Sequence, residues 1–289
     1  MLNWIEYLFY PIFIAQIVLV SVYLPGKMSQ HMTYMLKNYP PEQYPRLYPQ
    51  ETDKYIIGQW KYSMANYIIA AIGFVLIGLL LFVVDHSTFA DDGYISEAWP
   101  AFYGLLQFLP LIVLELSASG QMKLMRESNT STKRSAELMP RRLFDYVAPA
   151  LFVTAVVAAL GAAAFEMALH DFVWSSDRLK RLSILILTNS FFVVIGYGLL
   201  KGRKPDPYQS TTDRTRVVSL NLRSLMFTSI AISAFAIQQS LDGVYNIDYL
   251  DAVVMSVYLQ VVSMLSFGYL LHQQRLADID FEVYRDAKA

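Results

Sequence analysis

Apolar residues in this chain come in long uninterrupted runs rather than in the alternation of a half-buried strand or the narrow stripe of an amphipathic helix. Tyr62 to Val84 and Ala252 to Leu271 contain no Asp, Glu, Lys or Arg at all. A helix needs about 20 mostly apolar residues to cross roughly 30 Å of hydrocarbon, and both runs meet that length. Five further stretches do so with at most one acidic residue each. The pattern predicts an all-α, polytopic membrane bundle of seven transmembrane helices at about 5–24, 62–84, 99–118, 146–169, 182–200, 222–240 and 252–271. These are spans one to seven. A Pro- and Tyr-rich loop at 25–61 and a tail at 272–289 complete a single membrane domain.

The charges between the spans add an orientation. Loop one carries five Lys or Arg, loop three six, loop five with the start of span six another six, and the tail three, which is 20 of the 23 in the chain. Loops two and six, Asp85 to Ala98 and Leu241 to Asp251, carry none and are acidic. Because basic loops resist translocation, the amino terminus is expected outside and the carboxyl terminus inside. Arg178, Lys180 and Arg181 in loop four run against that rule. The overall net charge of −1 therefore conceals a division between a basic and an acidic face, and the basic face suits an anionic cytoplasmic leaflet. Met1 to Ile5 lacks a basic n-region and Lys27 follows span one in place of a cleavage site, so span one is expected to be a retained anchor. Compact loops and the absence of cysteine fit a bacterial cytoplasmic membrane. Zero cysteines also exclude disulfides, iron–sulfur clusters and thiol redox chemistry.

Local composition singles out two segments. Residues 27–37 place Met28, Met32, Met35 and Leu36 on one side of an expected interfacial helix, and the Tyr- and Pro-dense strip 39–49 that follows is stiff and extended. That strip is expected either to dock a protein partner or to anchor its tyrosines at the headgroups. In span four, Thr154, Ala158 and Ala162, beside Ala155, Ala159 and Ala163, repeat small residues at a spacing of four. Such rows permit close helix approach and predict a place in the middle of the bundle or at a contact between copies of the chain.

Polar groups within the bilayer are the default place to seek function. Gln16, Gln107, Asn189 and Gln260 fall on spans one, three, five and seven at overlapping depths, and predict either an amide-lined cavity for an amphiphile or hydrogen bonds between helices. Near the acidic face Glu166 and His170 stand four apart, hence on one helical side, while Asp85 and His86 end span two at the same level. Two imidazoles and two carboxylates offer a divalent metal ligands. Otherwise no cofactor is expected. Arg141, Arg142, Arg214 and Arg216 are expected to meet lipid headgroups. The basic loops lack the aromatic platforms of nucleic-acid binders, so membrane lipids are the expected partners. The four histidines divide between the two faces, and no nucleophile elbow, H-E-x-x-H pair or Walker loop is present. Three functions follow: binding or transport of a small amphiphile or lipid, an accessory subunit acting through the basic loops, or a membrane enzyme built on Glu166 and His170.

Overall fold

The computed structural model describes residues 3–82, 95–129, 141–202, 204–245, 247–274 and 276–285. Among these residues there are helices and no strand. In chain order they are α1 (Asn3–Gln16), a π segment (Ile17–Tyr23), α2 (Leu24–Asn38), α3 (Thr52–Phe82), α4 (Ala98–Ser128), α5 (Pro149–Leu169), α6 (Ser176–Lys201), α7 (Thr211–Tyr245), α8 (Asp251–Ser263), a second π segment (Met264–Gly268) and α9 (Tyr269–Gln273). Seven of the resulting helical runs are long and apolar enough to cross a membrane. Span one comprises α1, the first π segment and α2; span seven comprises α8, the second π segment and α9.

Several helices overrun the hydrophobic stretches. The α3 helix begins at Thr52 rather than Tyr62, and α4 continues to Ser128 rather than ending near 118. At 1.5 Å per residue a helix of 31 residues is about 46 Å long, well beyond the hydrocarbon thickness, and hydropathy reports only the part that lies in lipid. The 27–37 helix expected at the interface exists, but as a continuation of span one into α2 without a break.

Packing divides the spans into two groups. Phe9, Phe13 and Ile17 of span one form the centre of the first, with Ile69 and Ile77 of α3, Tyr103 of α4 and Val253 of α8 packed around them. The Phe9 and Phe13 rings stack at 5.1 Å and Phe13 meets Tyr103 edge-on at 5.2 Å. Gly73 makes room for this contact, since a Cβ there would lie 2.4 Å from the Tyr103 hydroxyl. The second group is α5, α6 and α7, joined to the first where α7 lies along α8 and the second π segment.

The middle of the bundle belongs to span one and not to span four. In the most apolar window of span four 17% of residues are buried, against 44% in that of span one. Its small residues separate: Ala155 and Ala162 are buried in the packed group, while Thr154 and Gly161 are exposed. A small residue permits a close approach, but the arrangement of neighbours decides which are used, here one from each row.

The described parts of loops one and five and of the tail meet on one side of the bundle, the basic face. Residues 276–285 fold back onto loops one and five, where Tyr44, Phe281 and Tyr284 are buried together. The Tyr39 ring lies 3.9 Å from that of Phe281, tilted by 33°, Arg216 pairs with Asp278 at 2.7 Å, and the Tyr284 hydroxyl donates to Asp206 at 2.5 Å. Burial raises the Tyr284 phenol above its usual range, so this bond retains its proton. The Tyr/Pro strip thus has an intramolecular partner. On the acidic face the exceptional basic residues of loop four are engaged locally: Arg181 with Glu166, Lys180 with Asp177 and Arg178 with the Val173 carbonyl.

Candidate functional site

Two of the four intramembrane amides meet, and a third bonds to the same helix one turn away. Gln16 is fully buried at the end of α1; its Nε2 donates to Gln107 Oε1 at 2.9 Å, and its Oε1 accepts from Ser256 at 2.7 Å. Gln107 in turn donates to Ser21 at 2.8 Å and to the Gln16 carbonyl at 3.4 Å. Gln260 donates to the Ile12 carbonyl at 3.1 Å, and the Tyr103 hydroxyl donates to the Ile69 carbonyl at 3.0 Å. A buried polar atom without a partner is costly, and here the amides supply one another. This cluster ties spans one, three and seven together through direct hydrogen bonds, and acts as a lock.

The lock borders both π segments. In a π segment a carbonyl accepts from the residue five on in place of four, as Leu19 does from Leu24, and neighbouring spans add further donors. Gln107 reaches the Gln16 carbonyl next to the first segment, and Ser224 of α7 donates to Leu265 at 3.2 Å and Ser266 at 3.4 Å within the second. Toward the basic face from these two segments, spans one and seven part to form a cleft of about 730 Å³. Leu24, Met264 and Leu271 give it apolar walls, and Gly268 lets Leu24 come close to span seven, where a Cβ would lie 3.4 Å from its side chain. Its polar groups include Lys27, Gln30, His31, Tyr34, His272 and Gln274, with no carboxylate in the lining among the described residues. Lys27 Nζ lies 5.9 Å from the centre of the Tyr23 ring. A cavity of this size, apolar along one side and furnished with N–H and ammonium donors at its mouth, matches a drug-sized anionic amphiphile.

The remaining predicted residues are dispersed. Asn189 lies in the other group of helices, accepting from Ser229 at 2.5 Å and donating to the Leu185 carbonyl at 2.9 Å. Glu166 is buried and held by the Arg181 guanidinium, with Nη2 at 2.8 Å and Nε at 3.0 Å, while His170 Nε2 stands 4.0 Å from the same carboxylate oxygen. A protein cation thus already faces Glu166. Asp85 and His86 lie outside the described residues. Among the proposed headgroup residues, Arg141 and Arg214 donate to the Leu200 and Gly202 carbonyls at the end of α6, Arg142 is exposed beside them, and Arg216 is committed to the tail. On the acidic face Asp242, Asp248 and Asp251 converge within 4.8 Å. Nearby, burial raises the Glu97 carboxyl above the usual carboxylate range, with Asp242 adding repulsion.

The cleft residues carried little signal in sequence. Lys27, His31 and His272 have the composition of ordinary interfacial residues, and only the packing of spans one and seven brings them to one opening. No family model, characterised protein or solved structure matches the chain.

Proposed function

We propose that this protein resides in a bacterial cytoplasmic membrane, with its basic face in the cytoplasm, and binds a single-chain anionic amphiphile drawn from the inner leaflet. The apolar tail lies along Leu24, Met264 and Leu271, and the carboxylate or phosphate head meets Lys27, His31 and His272. The observation that carries this reading is the cleft itself, open between spans one and seven beside two π segments and lined, among the described residues, by donors without an opposing carboxylate. The intramembrane amides contribute by fixing the two spans that form its walls, which assigns them a supporting role in place of direct ligand contact.

Equilibrium binding of oleate and of its uncharged analogue oleyl alcohol to the protein in nanodiscs tests the proposal. Loss of a charge-assisted hydrogen bond is worth about 1.5–3 kcal/mol, so Lys27→Gln weakens oleate about tenfold or more and leaves oleyl alcohol unaffected. Equal affinity for the two ligands, or oleate binding indifferent to both Lys27→Gln and His272→Leu, contradicts it.

A further inference from the structure

A second opening lies in the other group of helices. Between α5, α6 and α7 runs a groove of about 390 Å³, lined by Phe152, Ala159, Val193 and Leu225 among other apolar side chains, and reaching Asn189 and Ser229. From Leu200 at its rim to Asn189, eleven residues along α6 span about 16 Å, which is close to the depth of one leaflet of an about 30 Å core. The Asn189 amide bonds to Ser229 and to its own helix, so it ends the groove without demanding a polar ligand. The rim is rich in cations, with the Asp145 carboxylate accepting from the Arg142 backbone N–H at 3.0 Å beside them. Lys201 and Arg142 are exposed there, and Arg141 and Arg214 gather on the last carbonyls of α6, where the helix dipole also favours positive charge. An apolar trough one leaflet deep, ending in cations on the basic face, is complementary in both shape and charge to an anionic phospholipid of the cytoplasmic leaflet.

We propose that this groove holds one acyl chain of an anionic phospholipid, with its phosphate against Arg142 and Lys201. The site is independent of the cleft between spans one and seven. Native mass spectrometry of the protein released from nanodiscs of equimolar phosphatidylglycerol and phosphatidylcholine tests it. One phosphatidylglycerol is expected to remain bound, preferred over phosphatidylcholine at least tenfold. The double variant Arg142→Gln/Lys201→Gln is expected to abolish that preference, and Ala159→Phe, which fills the trough, to remove the adduct. Lys27→Gln leaves it in place, so failure of the cleft proposal and failure of this one are distinguishable. Equal retention of the two lipids, an adduct that survives Ala159→Phe, or a lipid-free dimer in which a second copy covers the groove would each overturn the inference. If Ala159→Phe does not fold, the charge variant still decides, because its substitutions lie on exposed side chains.

Discussion

At the scale of single residues, the energetics centre on Gln16 and Gln107. Each amide is buried among apolar side chains and satisfied by the other, so removing one leaves the other with orphaned atoms. Gln107→Leu is therefore expected to destabilise the protein by about 1–3 kcal/mol, read as a lowered thermal midpoint in detergent. The double variant Gln16→Leu/Gln107→Leu should lose less than the sum of the two single changes, since the groups left unpaired vanish together. Strict additivity would show that the two amides act separately. Sequence makes these residues visible because a glutamine in an apolar run is conspicuous. It gives their depth but not their azimuth, so Gln16 and Gln107 meet and Gln260 bonds one turn away, while Asn189, at a similar depth, serves a different set of helices. The cleft residues were invisible for the opposite reason: a lysine or histidine at a helix end is commonplace, and its function depends on what lies across from it.

At the scale of elements, the runs of apolar residues report that a helix crosses the membrane but not its register or its ends. Nothing in Ile17 to Tyr23 or Met264 to Gly268 distinguishes a π segment from an ordinary α-helix, and the contacts that accompany the change of register, from Ser224 and Gln107, come from other spans. The same holds for small residues. Gly73 and Gly78 are equivalent in sequence, yet a Cβ at Gly73 would collide with Tyr103 and Ile17, whereas one at Gly78 meets nothing within 4 Å. Gly73→Ala is expected to lower the thermal midpoint by displacing the Tyr103 ring from the Ile69 carbonyl. Gly78→Ala should be neutral or raise it slightly, in keeping with the helix preference of alanine over glycine. Equal effects at the two positions would show that the close approach of α3 and α4 does not matter to stability.

At the scale of the molecule, the seven spans were legible because hydrocarbon imposes one length requirement on every crossing helix. The association of those helices into two groups was not, because lipid tails are as apolar as the spans and hydropathy carries no preference among neighbours. The charge division was legible, but its consequence on the basic face required the fold: loops one and five receive the tail through Tyr44, Phe281 and Tyr284. The amide lock and the two π segments then stand in sequence along spans one and seven, with the cleft beyond them, and this order underlies the proposed binding of an amphiphile. Photo-crosslinking with a photoactivatable oleate in native membranes, followed by peptide mapping, tests it most directly. The account predicts labelling concentrated at Leu24, Met264 and Leu271, diminished by Lys27→Gln. Labels scattered over exposed apolar side chains such as Phe102, Val113 and Val157, with the cleft unmarked, would contradict it.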